Sequence, residues 1–244
     1  MYLVLDAPNV SKELSGLCHH TYQMSVFLQV AKFLGLVPVL PKFELSGHHN
    51  NGKPRPFEEY IELPPEVVCE VPKGAPVRIW HSDQLTIWGD PLYTENKSEM
   101  KHINLKFKLV YKQLAHKILA HMSTPVCCVH VRRTDYLKHQ PSLLETTHPV
   151  HIHEVLSKYK RPIGTVYIMT DEPDRTFFDP LKKEWNLKLF FDYPELEELK
   201  SDNYALFCVE KYIMDMADIR VSTFRTPGAW NKYDYFLDEF EGHH

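Results

Sequence analysis

The 244-residue sequence has no uninterrupted apolar run of the roughly 18 residues that a membrane-spanning helix needs. It opens without the basic, then apolar, then small-residue pattern of a leader. The chain as given is therefore expected not to be inserted in a membrane. Basic excess is also missing: 28 Lys and Arg stand against 32 Asp and Glu, a net charge of −4 at pH 7. Without a broad cationic surface, nucleic acid is excluded as a partner and any phosphate binding must be local. Cysteine is sparse and unpatterned. Cys18, Cys69, Cys127, Cys128 and Cys208 are odd in number and lack Cys-x-x-Cys spacing, so they are read mostly as reduced core residues. His148, His151 and His153 crowd together without the Glu or Cys partner of a recognised zinc motif, and no metal site is read there.

What is present is a core. With 43% hydrophobic and 25% charged residues, the chain can bury a substantial interior as one large or two small domains. Tyr2-Leu3-Val4-Leu5 predicts a strand, followed by a loop through Pro8, Asn9, Ser11 and Gly16. Met24, Phe27, Leu28, Ala31 and Leu34 repeat at three and four, which predicts a core-facing helix from about Thr21 that Gly35 stops. Val37 to Pro41 predicts a second strand at an edge, because proline cannot donate to a ladder. Residues 42 to 100 are rich in proline, with a small element near Tyr60-Ile61, and a long helix is predicted from Lys101 to His121. The second half alternates. Strands are predicted at 126–131, 165–169, 187–191 and 219–221, with helices near 150–159, 173–184 and 203–216. This predicts an α/β fold with a domain at 1–122, a second at 123–240, and a purification-tag remnant at 241–244.

Val126-Cys127-Cys128-Val129-His130-Val131-Arg132-Arg133-Thr134-Asp135 is an apolar run ending in two guanidiniums, a hydroxyl and a carboxylate. An apolar run of this kind specifies a buried strand, and its charges then sit at the carboxyl end, where open α/β sheets place ligands. Arginine suits phosphate there because its planar fork donates two parallel hydrogen bonds. The competing reading is a strand end whose Arg133 and Asp135 form a surface ion pair. Two further strand ends carry matching polar residues, Thr170-Asp171-Glu172 and Ser222-Thr223-Phe224-Arg225. Three such ends on one sheet favour a nucleotide site. Hydroxyls at Ser222 and Thr223 could hold phosphate oxygens, and Asp171 could either accept from a ribose or base or cap a helix.

In this order the motifs resemble the GDP-fucose-dependent fucosyltransferases, especially the protein O-fucosyltransferases and the core α1,6-fucosyltransferases. His130-Val131-Arg132-Arg133-Thr134-Asp135 is similar to the family's H-x-R-R-x-D element, Val166 to Glu172 to its T-D strand, and Ala217-Asp218-Ile219-Arg220-Val221-Ser222-Thr223-Phe224 to its terminal motif. The resemblance implies a GT-B-like architecture of two Rossmann-like domains with parallel sheets. It implies a catalytic Arg132, and donor binding by His130, Arg133, Asp135, Asp171, Asp218, Ser222, Thr223 and Phe224. It also implies metal-independent inverting transfer of fucose to a protein or glycan hydroxyl, with no cofactor beyond the donor. The alternatives are a noncatalytic nucleotide- or glycan-binding homologue and a transferase of another nucleotide sugar. Localisation would be the lumen of the endoplasmic reticulum or Golgi if a leader has been trimmed, and the cytoplasm otherwise.

One departure concerns the first loop. The family's G-x-x-N-Q element aligns with Gly16-Leu17-Cys18-His19-His20-Thr21, where the asparagine is missing. Gly16, His19 and His20 are the candidates there, with His19 able to donate or act as a base because imidazole titrates near neutrality. A solvent-facing histidine pair is the competing reading.

Overall fold

The computed structural model describes residues 1–6, 16–81, 91–96, 98–101, 103–134, 136–139, 141, 143–159 and 162–222. Its contacts divide into two units: Met1–Val110 with Ser201–Ala205, and Tyr111–Lys200 with the chain from Leu206 on. The division thus falls at Val110, where the sequence reading set a boundary near residue 122.

Unit 1 contains β1 (Tyr2–Asp6), α1 (Leu17–Phe33), β2 (Val37–Val39), β3 (Glu44–Leu45), β4 (Arg55–Pro56), β5 (Ile61–Glu62), β6 (Val77–His81), α2 (Pro91–Asn96) and β7 (Lys106–Phe107). Its main sheet is parallel, in the order β2-β1-β6, so the proline-bearing β2 takes the expected edge. Met24, Phe27, Leu28 and Ala31 of the α1 stripe are buried. The helix also buries Thr21 and Ser25, whose hydroxyls donate to the carbonyls of Leu17 and Thr21 at 2.8 and 2.9 Å and so carry no unmet polarity into the interior. A Schellman end closes α1: Leu36 N–H donates to Ala31 O and Gly35 N–H to Lys32 O, with Gly35 at φ +65°. The sequence reading passed over β6, whose apolar residues are broken by Arg78 and preceded by a proline-rich stretch.

The helix predicted from Lys101 begins eight residues later. Lys106–Phe107 instead pairs antiparallel with Ile61–Glu62, and the Glu62 carboxylate accepts the Leu109 N–H at 3.0 Å. That carboxylate satisfies one of the first amides of α3 (Leu109–Leu119) and sets its start.

Unit 2 continues with β8 (Val126–Val131), α4 (Tyr136–His139), α5 (Leu143–Thr146), α6 (Pro149–Ser157), β9 (Thr165–Thr170), α7 (Asp179–Lys182), β10 (Leu187–Lys188), α8 (Pro194–Glu197), α9 (Asn203–Met216) from Leu206 on, and β11 (Ile219–Ser222). The four strands are all parallel, in the order β10-β9-β8-β11. Alternation along each strand splits the core. Cys128, Tyr167 and Met169 pack with α3, α8 and α9, while Cys127, Val129, Val131, Val166 and Ile168 pack with α6 and α7. Helices on both faces of a parallel sheet make this unit Rossmann-like. Gly164 precedes β9 where a Cβ would collide with the Ser123 and Thr124 carbonyls, so only glycine fits.

Two predicted elements are shorter than the sequence suggests. Pro180 has no N–H and its ring would clash with the Thr176 carbonyl in a continuous helix, so α7 starts only at Asp179. Asp192 accepts the Leu189 N–H at 2.8 Å and turns the chain out of the sheet, ending β10 at Lys188. Among the described residues no helix is long and apolar enough to cross a membrane.

Between sheet and α9, the buried Glu210 accepts the Tyr167 hydroxyl at 2.8 Å. Burial pushes the Glu210 carboxyl up from 4.5 to about 8, only partly offset by that bond. Between about pH 4.5 and 8 the folded protein holds a proton that the unfolded chain releases. This contribution to stability is complete below about 4.5 and lost as pH rises to about 8. Glu210→Gln keeps an acceptor without a titrating group. It is expected to raise the melting temperature at pH 8 more than at pH 5, as measured by thermal denaturation of both proteins across that range.

Candidate functional site

The register of unit 2 builds the site. Val131 pairs with Thr170 and His130 with Ser222, so the chains leaving β8, β9 and β11 emerge together at the carboxyl edge. Arg132 to Thr134 follow β8, and Asp171 and Glu172 follow β9. Ser222 closes β11, while its side chain, with Asp135, Thr223 and Phe224, lies outside what the structure describes.

The two arginines have different surroundings. Arg133 is buried: its Nε donates to Glu172 at 2.8 Å, Nη1 donates to the Thr147 hydroxyl at 2.7 Å, and the guanidinium lies 4.1 Å over the Phe177 ring. Its charge, fork and flat face are all engaged by protein. Arg132 keeps 35% of its side chain exposed, with Nε 3.9 Å from Asp171. Of the pair, Arg132 is the more exposed.

Asp171 faces inward to the loop it accompanies. Oδ1 accepts the Arg133 N–H at 2.6 Å, and Oδ2 accepts the Thr134 hydroxyl at 2.6 Å and its N–H at 3.3 Å. The resemblance grouped Asp171 with the donor-contacting residues; here its acceptor positions are largely filled by the protein's own backbone.

His130 is neutral across ordinary pH. Burial, together with the positive charges of Arg132 and Lys211, lowers its imidazole to about 3. It can offer a hydrogen bond to an anion and no countercharge. Burial likewise pushes the Cys127 thiol up to about 12, which leaves it an inert core group.

Asp218 lies elsewhere. Ile219 pairs with Cys127, and the Asp218 carboxylate accepts the Val126 N–H at 2.7 Å, which fixes it at the amino edge of the sheet. At about 3.3 Å per residue, that edge is roughly 16 Å from the carboxyl edge. The contact Asp218 makes at the amino edge holds the start of β8.

In unit 1, Gly16 is the N-cap of α1, and His19 and His20 lie in its first turn rather than in a loop. His20 is fully buried, its ring 5.7 Å from that of Phe43, which overturns the reading of a solvent-facing histidine pair. The His19 side chain, and the loop at 7–15, lie outside the described residues. Trp80 is core, packed 5.4 Å from Phe27, whereas Trp88, Trp230, Tyr233 and Tyr235 fall outside the described residues.

The α6 histidines have other partners. His148 Nδ1 accepts the Val150 N–H, His151 lies 3.9 Å from Glu154, and His153 Nδ1 accepts the Trp185 Nε1–H at 3.2 Å. Among the described residues no three His, Cys, Asp or Glu side chains are placed to hold a metal ion.

Missed in the sequence reading were Thr147, Phe177 and Glu172 as the partners of Arg133. Only Glu172 carried a signal, through its place beside Asp171.

No protein-family model matches the chain, and no curated protein matches it by sequence. Solved structures do match. The NodZ α1,6-fucosyltransferase soaked with GDP-fucose aligns over 97% of this chain and 92% of its own, with 13% identity and a TM-score of 0.55. The fucosyltransferase NodZ from Bradyrhizobium gives 13% identity over 95% and 91%, TM-score 0.55. POFUT1 in complex with GDP gives 14% identity over 91% and 90%, TM-score 0.51. The chain has the fold of GDP-fucose fucosyltransferases, an α/β GT-B-like fold with parallel sheets.

Removing Arg133 would strand a nearly buried carboxylate, since the Arg133 and Glu172 side chains are 9% and 14% exposed. Arg133→Ala is expected to lower unfolding free energy by about 3 kcal/mol, the scale for breaking a buried pair. Urea denaturation of the two proteins measures it.

Proposed function

We propose that the chain is a metal-independent inverting glycosyltransferase that moves fucose from GDP-fucose to a protein or glycan hydroxyl. The observation that carries the reading is the half-exposed Arg132 at the carboxyl edge of a parallel sheet, beside the end of β11, in a chain with this fold. The fold alone does not define chemistry, so the argument rests on what this edge can do.

In the proposed reaction an acceptor oxygen forms a bond to C1 of fucose from the face opposite the nucleotide. The bond from C1 to the β-phosphate oxygen breaks, and its electron pair goes to that phosphate. The acceptor proton leaves to a base. The sugar passes through an oxocarbenium-like state while negative charge grows on the phosphate. Arg132 supplies countercharge where that charge develops, and the neutral His130 offers an N–H. The resemblance implies further anion contacts from Ser222 and Thr223, whose side chains lie outside the described residues. A fixed donor aimed at developing charge is worth roughly 3 to 4 kcal/mol of barrier, or about 10² to 10³ in kcat.

The binding-only alternative draws support from the first-turn sequence Gly16 to Thr21, which lacks the family's asparagine, and from the burial of His20. A single experiment separates the readings. Calorimetric titration with GDP, UDP and GDP-fucose without added metal is expected to give selective GDP binding, weakened by Arg132→Ala. With an accepted acceptor, Arg132→Ala is expected to lose about 10² to 10³ in kcat while remaining folded. Selective GDP binding without hydrolysis or transfer would favour the binding-only relative. No GDP binding by folded wild-type protein would end the donor reading.

A further inference from the structure

We propose that Asp171 is a positioning residue for Arg132, acting through the backbone of Arg133 and Thr134 and not by touching the nucleotide. The inference rests on the donor-site reading above and changes the part Asp171 plays in it.

Three observations converge. First, the carboxylate accepts the Arg133 N–H at 2.6 Å, the Thr134 hydroxyl at 2.6 Å and the Thr134 N–H at 3.3 Å. A carboxylate offers about four lone-pair positions, and these donors take three of them. Second, Arg132 Nε stands 3.9 Å from the same Oδ2, so the clamp and the ligand-facing guanidinium share one oxygen. Third, the residue between Arg132 and Thr134 is fixed by its side chain as well. Arg133 is held by Glu172 at 2.8 Å, by the Thr147 hydroxyl at 2.7 Å and by stacking at 4.1 Å on Phe177.

The segment leaving β8 is thereby restrained at the residues that follow Arg132. A loop that leaves a strand end with unsatisfied amides samples many conformations, and each one costs the guanidinium its aim. Ordering it in advance places that entropic cost in folding, so binding and the charge-building step do not bear it. Asp171 also sets the electrostatics of Arg132. A carboxylate 3.9 Å from Nε holds the guanidinium by charge, on the same oxygen that accepts the Thr134 hydroxyl.

The test is a double-mutant cycle of Asp171→Asn and Arg132→Ala, read as GDP affinity by calorimetry and as kcat and KM. Asparagine keeps one acceptor for the Arg133 amide and cannot accept the two Thr134 donors through its amide nitrogen. In the wild-type background Asp171→Asn is expected to weaken GDP about 10-fold, and in the Arg132→Ala background by less than about twofold, the signature of a residue acting through another. An equal loss in both backgrounds would mean that Asp171 meets the ligand itself, and would overturn the proposal.

Thr134→Val, at an exposed residue, removes one of the three bonds and serves if Asp171→Asn does not fold. It should weaken GDP binding in the same Arg132-dependent way, and Thr134→Ser, which keeps the hydroxyl, should rescue it. Equal weakening by the serine and valine variants would count against the clamp. Hydrogen exchange separates this inference from the donor reading. If wild-type protein binds no GDP, that reading falls, yet the Arg133 and Thr134 amides should still exchange faster in Asp171→Asn or Thr134→Val. Unchanged protection in these variants would overturn the clamp, whatever GDP does.

Discussion

The parallel pairing of β8 with β9 and β11 is the constraint on which the candidate site depends. Val131 opposite Thr170 makes Arg132 and Asp171 the next residues out on neighbouring chains, and His130 opposite Ser222 brings the third strand end alongside. A slip of one residue would exchange the two faces of β8. Cys128 would then leave the α9 side and Val129 the α6 side, and both buried clusters would lose their fit. Because each face is buried, the same packing that stabilises unit 2 fixes the geometry of its polar edge. Core and site are specified together.

Charge is distributed unevenly along that sheet. Two ionisable groups along it are held neutral: Glu210, buried under α9 and pushed up to about 8 beside Tyr167, and the half-buried His130 near the edge, lowered to about 3. At the edge, charges persist, Arg133 by close pairing with Glu172 and Arg132 by partial exposure. The difference has a chemical consequence. A neutral imidazole next to a part-exposed guanidinium adds no second positive charge at that edge.

Much of unit 2 was legible because its strands are buried on both faces and therefore read as continuous apolar runs; β8 spans Val126–Val131 as its sequence predicts, and α9 spans Asn203–Met216. Legibility failed where a single polar contact overrode pattern. The carboxylates of Glu62 and Asp192 reset the ends of α3 and β10, and neither can be seen from periodicity. In unit 1 the strand β6 was hidden because an edge position tolerates Arg78 within a short exposed run. At the site, the sequence places two arginines side by side and gives no reason to separate them. The separation comes from Thr147 and Glu172, which stand 14 and 39 residues away along the chain.

Asp218 and Asp171 show why adjacency in a motif differs from adjacency in space. Asp218 is four residues before Ser222, and in an extended strand those residues cross the sheet from one edge to the other. Asp171 is close to the arginines, and it accepts from the backbone of Arg133 and Thr134. Both carboxylates accept amide hydrogens from β8 or the chain leaving it, one at Val126 and one after Val131. The strand that presents Arg132 is thus gripped at each end by an acid from a neighbouring strand's terminus. Such acids need not touch a ligand to matter for its recognition: moving either would shift the edge on which Arg132 stands.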